Sequence, residues 1–500
     1  MKWLARLVAV LAFLTATRAD GQHSVEVEGP RRSRATAVIR RAIAGPYDLM
    51  LADTGRQLVL PRSSELQRSV IILGGDVALA GTVRGDVIVV GGDLFLRPAA
   101  HVEGTAAAIG GAVYGSTLAL VNGEVESVRD ETFDVTRHGD AFRLEYRYIG
   151  AREPAVELPL LEGLRIPSYD RVNGVSVPWG PILRPAIRVE LDPTVTYRSH
   201  IGEWDPGVIA TYRLDEQYQL RLDARRGTFT NDAWIHSTPI NTFNVLVGGK
   251  DTRNYYRADR GELEIRRFDA YPNPLLELER FAGISIERAW SVGAATTLGR
   301  RPWSFGGGSE LERIARPNPP IERGRISSAF VGAVARYRVG DVRSEAIARV
   351  EVPWETPENE RFAQLTFDGS IRFPTFGLQR FRADLHVIAT IGDTAPPQRF
   401  GYLGGSGTLP TIDIPLLLGG DQLFHLDSRY EVPVQVVRIP FLGSPTIAVR
   451  HRIGSAGEQG LPKFIQNVGP VLTWSFVRVE HVIDPATREG QFSAGLSFAR

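Results

Sequence analysis

His425 and Asp427 stand two residues apart in the stretch QLFHLDSRYEVPVQ, Gln422 to Gln435. On an extended strand that spacing puts both side chains on one face, where they could form a metal pair or act as hydrogen-bond partners on a polar wall. The second role is far commoner. In DTRNYYRADRGE, Asp251 and Glu262 end a twelve-residue window, as in a calcium loop, but Arg253, Tyr255 and Tyr256 occupy positions that need oxygens and glycine. The run GGSGTL from Gly404 to Leu409 puts Thr408 where a nucleophile elbow needs its last glycine, and no strand–turn–helix pattern surrounds it. Gly74-Gly75-Asp76 suggests a phosphate loop, but neither GxGxxG nor GK[ST] follows. The nine histidines are dispersed, without HExxH, and there is no cysteine. The sequence predicts no catalytic residue, no metal site and no cofactor: this is not the pattern of an enzyme.

The elements that carry these residues are bounded by composition. The chain has 500 residues, 43% hydrophobic and 23% charged, with a net charge of +1, which suits a folded protein and argues against a nucleic-acid binder. Its 51 glycines and 32 prolines suit many turns. MKWLAR supplies Lys2 and Arg6, LVAVLAFLT is a short apolar run, and Thr17-Arg18-Ala19 offers small residues for cleavage. Residues 1–19 therefore predict a cleavable signal peptide. An exported chain with no cysteine has no disulfides to support it. No later apolar run approaches the ~20 residues of a transmembrane helix, so any membrane crossing must use strands.

Residues 20–67 show no clear pattern, and RRSRATAVIRRAIA within them reads as a basic helical patch on a solvated surface. From 68 to 127 an internal repeat appears: VIILGGDVALAGTVRGD, then VIVVGGDLFLRPAAHVEGT, then AAAIGGAVYGS. Its Gly-Gly pairs begin at Gly74, Gly91 and Gly110. Each unit is a short apolar strand, a glycine corner and a second short strand, which buries its oil only by stacking on its neighbours. The prediction is a small β-solenoid, with an ordinary hairpin stack as the alternative. The repeat resembles the bactofilin type of polymer-forming β-helix. Residues 128–168 are expected to be a linker or first strands.

From Arg143 onward alternation becomes pervasive, and residues 169–500 are expected to form the barrel. Phe424, Leu426, Tyr430 and Val432 oppose His425, Asp427, Arg429 and Glu431, and AIRVELDPTVTYR, RFAQLTFDGSIRF and RFRADLHVIAT repeat the pattern. Several alternations persist for ten or more residues, longer than the ~5–6 of soluble strands and matching the ~9–11 that cross a bilayer. One parity is rich in Arg with interspersed Asp and Glu, as a charge-paired lumen requires, and the other carries aromatics near strand ends. Open edges are not tolerated in lipid, so the expected fold is all-β: a closed antiparallel transmembrane barrel of about sixteen strands, twelve to sixteen being allowed. A soluble sandwich is the rival.

The segments GYLGGSGTLPTIDIPLLLGGDQLFHLDSRYEVPV and PVLTWSFVRVEHVIDPATREGQFSAGLSFAR resemble the end of a bacterial surface antigen barrel, the superfamily of BamA-type and two-partner-secretion barrels. Gly404-Gly405, Gly420-Asp421 and Arg429-Tyr430-Glu431-Val432-Pro433 carry the likeness. It implies an inward-folded loop containing Gly404, Gly405, Leu409 and Pro410, and a lumen lined by Asp427, Arg429 and Glu431. The family's Leu-Arg-Gly-aromatic tetrad falls on Leu409-Pro410-Thr411-Ile412, so its lumenal arginine is expected to be missing, which puts a substrate-handling role in doubt. Phe492, Gly495, Leu496 and Phe498 resemble the last strand by which barrels are recognised for assembly, although Ala499-Arg500 ends the chain instead of an aromatic. No room is left for the family's POTRA repeats.

The expected function is transport or envelope biogenesis in the outer membrane, with the N-terminal domain in the periplasm. A passive porin-like pore and an exported structural module with a polymerising solenoid are the alternatives. Expected partners are outer-membrane lipid, the barrel-assembly machinery at the last strand, and a periplasmic or self-association contact on the solenoid.

Overall fold

The computed structural model describes residues 24–30, 33–52, 57–139, 141–150, 154–160, 162–186, 188–215, 217–270, 276–293, 302–305, 316–434, 444–475 and 477–496. The proposed signal peptide, 1–19, lies outside them, as does Phe498. The chain divides into two units, one running to residue 152 and one from 153 onward.

The first unit is a three-sided β-solenoid of parallel strands. One side is Tyr47–Leu51, Ser69–Leu73, Val87–Val90, Ala106–Ile109 and Val125–Val128, and the other two sides have four short strands each. The first coil starts at Tyr47, earlier than the expected 68, because Tyr47–Leu51 pairs with Ser69–Leu73 although it lacks the Gly-Gly corner. VIIL, VIVV and AAAI are apolar at every position because both faces of this side are buried. Val70, Ile72, Val87 and Val89 point into the coil, and Ile71, Leu73, Ile88 and Val90 point out of it. What covers the outer face is the basic segment. Helix α1, Arg34–Ile43, buries Ala35, Val38, Ile39 and Ala42 against it. The expectation of a solvated surface patch is thus overturned: the arginines mark only one side of an amphipathic helix. Ser33 caps α1, its Oγ accepting from Thr36 N at 2.9 Å. Within residues 128–168, expected to be a linker or first strands, Glu131–His138 and Ala141–Tyr148 form a hairpin on which Ser24–Glu28 adds a third strand, and the sheet of the second unit begins at Val156.

The Gly-Gly corners, two of them followed by aspartate, have separate physical reasons for each residue. Gly74, Gly91 and Gly110 have φ of 97°, 80° and 74°, a region open to glycine. The second glycine is needed because the coils touch there: a Cβ on Gly92 would lie 2.3 Å from the Gly75 carbonyl carbon. The aspartate ties coil to coil, Asp76 Oδ1 accepting from Asp93 N at 2.8 Å and Asp93 Oδ1 from Ala112 N at 2.7 Å. Gly92→Ala is expected to destabilise this unit by roughly 1–3 kcal/mol. Gly45→Ala, with nothing within 4 Å of the new Cβ, should be close to neutral. Equal urea midpoints for the two variants, followed by far-UV circular dichroism, would refute this stacking role.

The second unit is one antiparallel sheet in chain order. Its first strand, β1, comes in two pieces, Val156–Glu157 and Ser168–Asp170, as does β2, Gly174–Trp179 and Ile182–Ala186, both halves of which pair with β3, Val189–Arg198. Then follow β4 Glu203–Arg213, β5 Tyr218–Phe229, β6 Tyr256–Ala270, β7 Leu276–Ser291, β8 Gly324–Val339, β9 Val342–Glu355, β10 Phe362–Pro374 and β11 Arg380–Gly392. The last five are β12 Gln422–Pro433, β13 Thr446–Gly457, β14 Ile465–Trp474, β15 Val477–Ile483 and β16 Gly490–Leu496. Taking each broken strand as one gives sixteen. Helix α2, Thr238–Gly248, lies in the connection from β5 to β6 and touches both β1 and β16. The two ends of the sheet therefore converge on one connection, and the sheet curls into a barrel.

The oil is on the outside. Trp204, Ile284, Ile286, Val331, Trp354, Ile391, Val449 and Phe492 are exposed on seven strands, while Glu287, Asp427, Arg450, Arg452 and Glu480 are buried on the inner face. An apolar surface this extensive is untenable in water, and an interior this charged is untenable as an ordinary core. Together they describe a barrel whose outer surface meets lipid. Among the described residues no helix is long and apolar enough to cross a membrane.

Candidate functional site: the plugged lumen

Long connections occupy one end of the barrel, and two of them fold inward. In residues 393–421, between β11 and β12, Leu403, Leu409, Ile412 and Leu418 pack with Ile388, Leu423, Ala456 and Ile465 of the wall and with Trp234 of the β5–β6 connection. This apolar knot closes that end of the lumen. Local chemistry shapes it. Gly404 and Gly405 have φ of 133° and 78°, and Thr408 Oγ1 accepts from Gly404 N at 2.8 Å to close the turn. Asp421 is a staple: its carboxylate accepts from Ala395 N and Gln459 N, both at 3.1 Å, while its carbonyl accepts from Thr390 Oγ1. Pro410 lines a small cleft with Gly404, Gly405, Lys250, Asp251, Gln491 and Ser493.

The loop does present an arginine to the wall, contrary to expectation. Arg399 donates from Nη1 to Glu287 Oε1 of β7 at 2.8 Å and from Nη2 to Glu351 Oε1 of β9 at 3.1 Å. Glu351 also accepts from Ser328 Oγ at 2.7 Å, and Glu287 from Arg260 Nε at 2.6 Å, so neither carboxylate is left with one partner. Arg260 in turn lies 4.2 Å from the centre of the Phe229 ring. Two hydrogen bonds from Asn231 Nδ2, to Gln398 O and Phe400 O, hold the backbone on either side. Arg399 lies in Arg399-Phe400-Gly401-Tyr402, upstream of the stretch from Leu409 to Ile412 on which the expectation of a missing arginine rested.

Asp427 and Arg429 sit on the inner face of β12, with Glu431 beyond them at the end of the strand facing away from the plug. Asp427 Oδ1 accepts from Arg450 Nε at 2.8 Å, and Arg450 Nη1 donates to Glu480 Oε2 at 2.8 Å. Glu480 takes Arg452 Nη2 at 3.1 Å, so three strands are tied across the interior. Arg450, Arg452 and Glu480 were not singled out from the sequence, because their meeting depends on the register of β12 to β15. His425 pairs in register with His386, not with a metal-ligating carboxylate, and Trp234 stacks on His386 with ring centres 4.1 Å apart. His386 Nδ1 and Asp368 Oδ1 are 2.7 Å apart. Asp251, at the end of the window weighed for calcium, is engaged by Arg171 N, Asn241 Nδ2, Arg253 N and the Tyr255 hydroxyl, and it is a structural acceptor. At the last strand, Phe492 points outward, Gly495 pairs with Arg478 and Leu496 with Val477.

Beneath the plug is a cavity of about 670 Å³, walled by β9 to β15 and roofed by Trp234, Ile235, His236 and Gly407. Its far side reaches Thr446, Thr473 and Ser475, at the end of the barrel away from the plug.

One buried carboxylate of the plug titrates near neutrality. Burial pushes the Asp232 carboxyl up to about 7, against the Asn254 amide hydrogen bond and the charges of Arg316 and Arg253, with Asp251 adding to the rise. The unfolded value is about 3.9. A carboxyl whose folded value is raised stabilises most below the unfolded value, and that contribution is lost as pH rises toward 7. The β5–β6 connection is therefore expected to be more protease-resistant at pH 5 than at pH 8, and Asp232→Asn to flatten the difference. A wild-type cleavage rate independent of pH over that range would contradict it.

The fold and its interior define a sixteen-stranded membrane-type β-barrel with an inward plug. No family model and no curated protein sequence matches the chain. Among solved structures it is similar in fold to CdiB from Acinetobacter baumannii, at 10% identity and a TM-score of 0.41, covering 73% of this chain and 64% of that one. It is also similar to BamA from Haemophilus ducreyi lacking POTRA domains 1–3, at 10% identity and 0.43, covering 73% and 74%. CdiB from Escherichia coli aligns at 8% identity and 0.38, covering 73% and 66%. The chain thus spans less than two thirds of the length of either CdiB.

Proposed function

We propose that this protein is an outer-membrane barrel of surface-antigen type that acts in transport or envelope biogenesis, with its N-terminal solenoid in the periplasm. The observation that carries the reading is the buried Arg399–Glu287–Glu351 contact, which fixes an inward loop across a lumen otherwise rich in charge. A passive pore needs an open water path, whereas here an apolar knot lies across one end. The chemistry of the described interior is ionic and hydrogen-bonding, which suits passage or handling of another molecule. The outer apolar surface supplies the contact with lipid, and the exposed last strand, with Phe492 outward, is the surface on which assembly machinery would act. Exposed Tyr114, Leu118, Leu120 and Val125 on the last coil of the solenoid suit a periplasmic partner or a second copy.

Planar-bilayer recordings test the plugged reading. The wild-type protein is expected to be nearly silent, and removal of residues 395–419 to give stepwise conductance. Large, steady wild-type conductance would favour the porin-like alternative, and recovery of the whole protein in the soluble periplasmic fraction would remove the barrel.

A further inference from the structure

The strand register places six arginines side by side inside the barrel. Arg338 of β8 faces Arg343 of β9, which faces Arg372 of β10, and the row continues through Arg382, Arg429 and Arg450 on β11, β12 and β13. Alternation puts all six on the inner face. Like charges directly opposite one another on neighbouring strands repel, so such a row costs stability unless counter-charges reach it. The neighbouring inward row, one step toward the plug, supplies some: Glu345, Ser370, Asp384 and Asp427 lie in register.

Those acids are already committed. Asp384 takes Arg382 Nε at 2.8 Å, Asp427 takes Arg429 and Arg450, and Glu345 takes Arg336 Nε at 2.9 Å. Asp368 is held by His386, and Glu431 faces Arg380 across the strand pair. Two arginines on the cavity wall are left over. Among the described residues Arg372 makes no hydrogen bond or ion pair, and Arg478 comes no closer than 3.9 Å to a carboxylate oxygen, that of Glu480. Fully buried Arg452, in the next row, also has an Nη1 with no hydrogen-bond partner.

We infer that Arg372 of this belt and Arg478 across the cavity form an oxyanion-binding site: they take the carboxylate or phosphate group of a ligand entering the 670 Å³ cavity from the end away from the plug. Guanidinium groups offer forked donors that match either oxyanion, and the low-dielectric walls strengthen the contact. The inference rests on the barrel reading above but not on the plug's function.

The test uses the full-length protein in detergent at low ionic strength, with succinate and inorganic phosphate as probes in isothermal titration calorimetry. The wild type is expected to bind at least one, and the tighter probe shows whether the cavity prefers carboxylate or phosphate. Arg372→Gln and Arg478→Gln should each weaken binding by roughly tenfold. Neither change strips a carboxylate of its only close partner, so both variants should fold. Arg325→Gln, in the exposed pair with Glu355 away from the cavity, should bind as the wild type does. No wild-type heat at millimolar probe, or affinities unaltered in both cavity variants, overturns the site. The heat-dependent gel shift of a barrel, run on the same samples, separates the two readings. A normal shift without binding removes the belt alone, and a missing shift removes the barrel and the belt with it.

Discussion

Arg399→Ala should loosen the plug by about 3–5 kcal/mol, because it leaves Glu287 and Glu351 charged and buried against a wall arranged for a guanidinium. Removing a partner from a buried ion pair costs more than the pair itself contributes, since Glu287 keeps Arg260 and Glu351 keeps Ser328 but neither carboxylate recovers its water. The expected readouts are stepwise conductance where the wild type is quiet and faster proteolysis within residues 393–421. Arg399→Lys should fall between, because an ammonium cannot serve Glu287 and Glu351 together with a planar fork. Adding Glu287→Gln and Glu351→Gln to Arg399→Ala should restore part of the loss, as two neutral amides tolerate burial better than two charges. A variant as silent and protease-resistant as the wild type would show that the apolar knot alone holds the loop.

Ile284→Arg is expected to cost about 2–4 kcal/mol in lipid if Ile284 lies near the bilayer midplane, with smaller costs toward the interfaces. Ile284 is at the middle of β7, exposed on the outer face and opposite Ala329 and Leu263 on its neighbours. Trp204, near the end of β4, should tolerate the same change better. Stability alone does not separate lipid contact from a protein interface, so the decisive measurement is labelling. Single cysteines at Val331 and Val449 should react with a lipid-phase probe, and those at Asp427 and Arg429 with a small water-soluble maleimide. Shielding of Val331 and Val449 from both probes in membranes would mean that another protein covers the oil.

Alternation by itself determined which part of the chain is built of long strands and which parity of each is polar, because the strand period of two leaves one assignment of side chains to faces. The opening strand shows this: Phe424, Leu426 and Tyr430 on one side, and His425, Asp427 and Arg429 on the other, are arranged in the structure as their positions dictate. The Gly-Gly-Asp repeat likewise announced stacked coils, since its spacing is a local property. Helix α1 was misjudged for the opposite reason. Whether Val38 and Ile39 meet water or the outer face of the solenoid depends on Ile71 and Ile88, and no local pattern records that contact. The plug was legible as far as its glycines and Asp421. Arg399 was not, because its role is defined by Glu287 and Glu351, over forty and over a hundred residues away, and by a loop path that only the folded barrel sets. The arginine belt goes furthest beyond the sequence. Each member is an unremarkable inward residue of its own strand, and only the register of six strands, fixed by hydrogen bonds between segments distant in the chain, brings their charges into one row.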